Sequence, residues 1–349
     1  MDLSRERFTP HSPDVLEREI SDGGFSQGWG MHFQPVAKRF VDAHGHIQFV
    51  SFERADEAVL RGLGFVSPLG VDHVAVCSPV VTAGGESALG MDIPCVSGTD
   101  GLEPYLELAG RTDGLTLMLF LHHENPDVRL VRRCAGRGVR AVKLHNAPVI
   151  VNAADPALWL GSRWAEVFDE IERAGLPVLW HVTQRLSDSP YTGGSRNVYW
   201  REGWEKGIRY TNEDLLQIYL KVVEDHPGIP FLSAHQLHLG WERLDGLMER
   251  YANLYIDTSV GCVVREGDRL YEQDRDMIRD FFIRRGDRIL FGTDYFITDD
   301  AAQDGAGAAS TVGNHIRFLR QLRLPYDVLQ LISHGNAERL LGIPVPEEH

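Results

Sequence analysis

The sequence predicts an α/β chain of eight βα units in series, either closed into a parallel barrel or laid out as one large open sheet. Eight short segments rich in Val, Ile, Leu and Phe recur along the 349 residues. They lack polar alternation, as parallel strands covered on both faces do. Between most of them lie stretches with apolar residues three and four apart, the spacing of an amphipathic helix. The length suits a barrel with insertions, and 43% apolar content fills a large core.

The strands are expected at Arg39–Ala43, Asp72–Val76, Leu115–Leu121, Val139–Leu144, Pro177–Trp180, Ile229–Ala234, Asn253–Ile256 and Arg288–Phe291. Helices are expected over Asp155–Ala174, around Leu158, Trp164, Val167, Phe168 and Ile171, and over Asn212–Glu224, around Leu215, Leu216, Ile218, Tyr219 and Val222. Ala174-Gly175-Leu176-Pro177 and His226-Pro227-Gly228-Ile229-Pro230 each stop a helix and start a strand, as tight αβ loops require. The Ala- and Gly-rich run Ala301–Ser310 reads as a mobile loop after the eighth strand.

Two stretches fall outside this rhythm. Residues 1–38 form an N-terminal arm whose Phe25, Trp29, His32 and Phe33 suit packing on the barrel or on a second copy, so a homodimer is an open expectation. Within the single domain of 39–349, residues 185–211 are an insertion carrying Tyr191, Tyr199, Trp200, Trp204 and Tyr210 beside Arg185, Arg196 and Arg201. It is either a packed flap or a lid over a substrate.

The 35 basic and 50 acidic residues leave a net charge of −15, with no basic run of five or more, so nucleic acid and anionic membranes are not expected partners. A small molecule is. Cys77, Cys95, Cys134 and Cys262 are scattered without a Cys-x-x-Cys pair, which argues against a zinc ribbon and a disulfide framework. Met1–Glu19 alternates charge, and no run reaches the ~18 apolar residues of a membrane helix. A cytoplasmic protein is the expectation.

Chemistry concentrates at the strand ends. In Asp42-Ala43-His44-Gly45-His46, two histidines one residue apart point to the same face of a strand and can reach one ion. The C-terminal ends of the other strands contribute Ser78, His122 and His123, Lys143 and His145, His181, His235, Asp257 and Asp294. In a parallel barrel, side chains from different strands converge at that end.

These residues carry a resemblance. His44 and His46 in a first strand, His181 after Pro-Val-Leu-Trp, His235 after Phe-Leu-Ser-Ala, and Asp294 in Phe291-Gly292-Thr293-Asp294-Tyr295 resemble the amidohydrolase superfamily. Within it, the chain is most similar to the branch of metal-dependent hydrolases and decarboxylases typified by aminocarboxymuconate semialdehyde decarboxylase. The ending Ile332-Ser333-His334-Gly335-Asn336-Ala337-Glu338-Arg339-Leu340-Leu341-Gly342 is similar to that branch's terminal helix. The resemblance runs from Phe40 to Gly342.

It implies a distorted (βα)8 TIM barrel of the amidohydrolase type, with one divalent metal held by His44, His46, His181 and Asp294. Imidazoles and a carboxylate suit zinc first and manganese second. His235 is implied as a second ligand or as a catalytic imidazole stabilising charge on a substrate oxygen, and Asp294 as the group that moves the proton of the attacking water. Lys143 stands where some members carry a carboxylated lysine bridging two metals, in which case His181 and His235 would hold the second ion. Otherwise it contacts substrate or pairs with Asp294 or Asp257.

The resulting expectation is hydrolysis of an amide, ester or lactone in a small organic substrate. The alternative is non-oxidative decarboxylation of a small aromatic or unsaturated acid. His235-Gln236-Leu237-His238-Leu239-Gly240 departs from the glycine run of the decarboxylase pattern, and Lys143-Leu144-His145 is common among hydrolase-like members. His145, Arg185 and Arg265 are candidate substrate contacts. His122 and His123 orient substrate or simply begin a polar loop. Asp257 supports a ligand or caps a helix, and Asp42 orients a histidine or caps its loop. A barrel reduced to a binding scaffold would have lost ligands, and none is missing.

Overall fold

The computed structural model describes residues 37–48, 52–82, 95–184 and 197–344. The N-terminal arm's aromatics, together with Arg185, Tyr191 and Arg196, lie outside the described residues.

Nine parallel strands form the main sheet: β1 (Phe40–Gln48), β2 (Val71–Cys77), β5 (Leu115–Phe120), β6 (Ala141–His145), β7 (Val178–His181), β8 (Phe231–Ser233), β9 (Leu254–Asp257), β10 (Ile289–Leu290) and β11 (Tyr295–Thr298). β3 (Val80–Thr82) and β4 (Cys95–Ser97) pair separately in the excursion between β2 and β5. Each of the eight expected segments coincides with a strand. The ninth, β11, was not foreseen.

The sheet order β10-β9-β8-β7-β6-β5-β2-β1-β11 places its two ends on one continuous piece of chain. β10 pairs with β9 and β11 with β1, so the eighth barrel strand is broken in the middle. Across the break, Ala43 N donates to Phe291 O at 2.9 Å and Asp294 N donates to His44 O at 2.7 Å. The barrel therefore closes, with its distortion at Phe291–Asp294. Asp294 takes a φ of 62°, which swings its side chain out of the ladder.

Strand alternation divides the core in two. Val41, Ala43, Ala75, Cys77, Met118, Phe120, Ala141, Leu179 and Leu232 fill the barrel interior. The residues between them, such as Val74, Val76, Leu117, Leu119 and Val142, pack outward against the helices.

Asp155–Ala174 is two elements rather than one helix. Asp155 caps a 3-10 turn over Pro156–Leu160, Gly161 is extended at ψ 154°, and α1 (Ser162–Arg173) follows. Its buried face carries Trp164, Val167, Phe168 and Ile171, as the spacing predicts. Within the insertion, α2 (Val198–Glu205) is capped by Asn197. The expected helix at 212 is α3 (Asn212–Asp225), started by a capping box between Thr211 and Asp214.

The run after the eighth strand is a correction. Ala301–Ser310 is not a loop but α4 (Ala301–Gly307), continued by a wider turn over Ala308–Val312. Asp300 caps it by accepting from Ala302 N and Gln303 N. Buried Asp304 accepts from Thr298 N and Thr298 Oγ1 at 2.8 Å and pairs with Arg61 at 3.0 Å. Alanine's helix propensity and this buried anchor outweigh the glycines. Among the described residues, no helix is long and apolar enough to cross a membrane.

Candidate metal centre

β1 delivers the first two donors. Its pairing with β2 shifts register between Asp42 and Gly45, and His44 and His46 emerge there on one side. Their Nε2 atoms are 3.3 Å apart, and Asp294 Oδ1 lies 3.0 Å from His46 Nε2 and 3.6 Å from His44 Nε2. Zinc donors at about 2.0–2.1 Å in a tetrahedron stand roughly 3.3 Å from one another. The three side chains thus converge at the spacing a small divalent cation needs.

Asp257, at the end of β9, orients two histidines. Its Oδ2 accepts from His44 Nδ1 at 2.6 Å, which fixes the proton on Nδ1 and turns the lone pair of Nε2 inward. Its Oδ1 accepts from Ser259 Oγ at 2.7 Å and from His235 N at 2.9 Å. Because the Ser259 hydroxyl hydrogen goes to Asp257, its oxygen accepts from His235 Nδ1 at 2.7 Å. The network therefore assigns His235 the same tautomer as His44, with Nε2 as a bare lone pair. His235 Nε2 faces His181 Nδ1 at 3.2 Å, and the His44 and His235 rings are 5.4 Å apart.

The backbone that carries His235 is strained. His235, Gln236, Leu237 and His238 all have φ between 52° and 57°, although none is glycine. Left-handed backbone costs about 1–2 kcal/mol per residue in L-amino acids. Gln236 Nε2 donates to Asp257 O at 2.6 Å and to Ser259 O at 2.9 Å, and Thr183 Oγ1 donates to Leu237 O at 2.6 Å. These bonds hold the turn and place the His235 imidazole over the barrel mouth.

Burial and neighbouring charge set the protonation states. Burial disfavours the charged form of Asp294, but the hydrogen bond from His46 and the surrounding imidazoles outweigh it, and its carboxyl stays well below the usual range. Burial alone would lower His46, yet Cys77 and Asp294 raise it to about 9. Burial pushes His235 down to about 3, and His145 and His181 well below their ordinary value, so these imidazoles are neutral.

Lys143, in the middle of β6, is 1% exposed, and its Nζ is 3.0 Å from His44 Nε2. Among the described residues it pairs with neither Asp294 nor Asp257, so the expected ion pair does not form. His145 stacks near Phe120 and lies 4.1 Å, ring to ring, from His181. Arg265 is exposed in the loop after β9, and Arg185 lies outside the described residues. Among the described residues, Asp42 binds no imidazole. It accepts from His44 N and Thr293 N at 3.0 Å and pairs with the Thr293 hydroxyl, tying β1 to the broken eighth strand.

The donors fit a divalent cation. His44 and His235 turn lone pairs inward, the Asp294 carboxylate is ionised, and among the described residues His181 Nε2 is buried with no hydrogen-bond partner. The structure joins His44, His46, Asp294 and Lys143 into one group, and His181 adjoins it through His235. Sequence reasoning passed over Ser259 and Gln236, which act only through tertiary contacts. It also passed over Cys77, whose inward place on β2 follows from strand alternation. His122 and His123 are buried with rings 4.2 Å apart, beside exposed Glu124. Burial lowers both, against the pull of Glu124 at His122 and with the help of His122 at His123, which falls to about 3.

A comparison with curated proteins returns no match. Among solved structures, a 5-carboxyvanillate decarboxylase from Sphingomonas paucimobilis is similar at 14% identity and TM-score 0.52, covering 88% of this chain and all of that one. A probable 2-pyrone-4,6-dicarboxylic acid hydrolase from Acinetobacter baumannii is similar at 12% identity and TM-score 0.54, covering 87% of this chain and all of that one. A dihydroorotase from Campylobacter jejuni is similar at 13% identity and TM-score 0.54, covering 91% of this chain and 88% of that one. At such identities these likenesses concern the fold. The amidohydrolase family profile matches residues 104–343, more than half of the sequence, and the chain belongs to that family.

Proposed function

We propose that this protein is a metal-dependent hydrolase acting on an amide, ester or lactone carbonyl of a small organic molecule. The observation that carries the reading is Lys143. Its amine is buried 3.0 Å from His44 Nε2 and has no carboxylate partner among the described residues, which is the placement of a lysine that serves a metal site rather than an ion pair. Zinc is the expected ion, held by His44, His46, His181 and Asp294. A second ion with carboxylated Lys143 is the alternative stoichiometry. When bound, the ion activates water and polarises a carbonyl.

The chain's own residues do the rest. Asp294, held as a carboxylate, takes the proton of the attacking water at Oδ1 or Oδ2 and returns it to the leaving atom. His235 is neutral with a bare Nε2, so it serves as a ligand or proton acceptor. Donating to a substrate oxygen would require a proton that its tautomer keeps on Nδ1. His145 and the Tyr199 side of α2 border the approach, and the insertion sets the substrate.

The test is metal content per chain, together with intact mass for carboxylated Lys143 and a turnover screen. Loss of turnover on chelation, its return with zinc, and hydrolysis without release of carbon dioxide support the reading. Metal-dependent release of carbon dioxide from a carboxylated substrate, with no hydrolysis, replaces it with a carboxy-lyase. Absence of any retained or restorable metal removes both.

A further inference from the structure

Cys77 ends β2 on its inward face, in the apolar layer that also holds Ala43, Ala75, Met118 and Phe120. In the β1–β2 ladder it stands directly opposite His46. It is fully buried and unpaired by any disulfide. Its Sγ and one ring nitrogen each of His44 and His46 lie within 4.8 Å of one another.

The side chain therefore has a direction, a depth and two imidazole neighbours, both of which belong to the metal centre. A zinc–sulfur bond of ~2.3 Å beside zinc–nitrogen bonds of ~2.0–2.1 Å places sulfur roughly 3.5 Å from a neighbouring nitrogen.

We propose that Cys77 is a thiolate ligand of this centre, which biases the site toward thiophilic ions such as zinc and cobalt over manganese and magnesium. The inference rests on the reading of His44, His46 and Asp294 as a metal site. As the sulfur–metal bond forms, the thiol proton passes to solvent, so binding releases one more proton than an imidazole and carboxylate set alone. The soft donor comes from the end of the second barrel strand, beside the His-x-His strand.

The experiment is absorption spectroscopy of the full chain, stripped of metal and titrated with Co(II). Visible ligand-field bands report that the ion is held, and a near-ultraviolet charge-transfer band reports a cobalt–thiolate bond. The proposal expects both in the native protein, with loss of only the charge-transfer band in Cys77→Ser and its retention in Cys95→Ser. Ligand-field bands without charge transfer in the native protein, or charge transfer that survives Cys77→Ser, overturn the cysteine ligand and leave the centre standing. No ligand-field bands at all overturn the centre and the cysteine with it. If Cys77→Ser does not fold, the 113Cd chemical shift of the native protein decides: a downfield, sulfur-shifted resonance supports the proposal and a nitrogen–oxygen position overturns it.

Discussion

His44 Nδ1 donates to Asp257 Oδ2 at 2.6 Å, and the same carboxylate, through Ser259 Oγ, holds the proton of His235 on Nδ1. One buried group at the end of β9 thereby sets the tautomers of two histidines, one from β1 and one from the turn after β8. Asp257→Asn keeps the shape but replaces an acceptor pair with an amide. Metal affinity is expected to fall by about 10- to 100-fold, as for other outer partners of ligating histidines. Competition with a chromophoric chelator measures it, and an affinity equal to the native protein's would refute the role.

Asp294→Asn is nearly isosteric and removes the ionised oxygen that faces His46 at 3.0 Å. Turnover is expected to drop by about 10²- to 10⁴-fold, with KM changed far less, if the residue moves a proton in the reacting complex as proposed. Steady-state kinetics on metal-replete protein provide the check. A variant with native kcat would remove Asp294 from the mechanism.

Gly292 lies where the broken eighth strand passes the site. A Cβ there would stand 2.9 Å from Asp257 Cβ and 3.1 Å from His44 Cβ, closer than packed carbons tolerate. Gly292→Ala is expected to cost about 1–3 kcal/mol of stability, the usual range for overpacking, and to weaken metal retention with it. Chemical denaturation and metal analysis of the same sample test both, and native values of each would show that the neighbours yield freely.

Glu170, on α1, accepts from Arg132 at 2.8 Å and also pairs with Arg173. These hydrogen bonds hold its carboxyl at about 2, below its ordinary value. A depressed folded value means that the stabilisation is present above the unfolded value of 4.5 and is lost as pH falls toward 2. Both arginines are largely exposed, so the contribution is about 1 kcal/mol or less. Glu170→Gln should lower the unfolding free energy by that amount near pH 7 and by progressively less as pH falls from 4.5 through 2. A difference that stays constant across this range would contradict the linkage.

His44 and His46 were legible because a strand end, an alternation of two and a His-x-His spacing are all local. The same holds for the inward-facing Lys143 and His145. The role of Asp257 was legible only as one of two alternatives, support of a ligand or a helix cap. Residue 257 approaches residue 44 only when the barrel closes, and a strand-end aspartate before Thr258-Ser259 looks equally like a cap. The left-handed turn at His235–His238 was hidden for another reason. No glycine marks it, and its cost is met by hydrogen bonds from Gln236 and Thr183 that no local rule anticipates. Ala301–Gly307 misled through its glycines, since the buried Asp304–Arg61 pair that secures the helix joins residues far apart in the chain.

The sequence by itself determined the parallel α/β layering, the eight strands and the end of the barrel at which chemistry collects. Those properties follow from apolar runs, helix periodicity and the fixed direction of parallel strands, each set within a few residues. Only the tertiary structure decided that the eighth strand breaks at Phe291–Asp294, that Asp257 orients His44 and His235, and that Cys77 lies beside His44 and His46. Each of these is a contact between residues distant in the chain, whose geometry exists only once the closed barrel has brought them together.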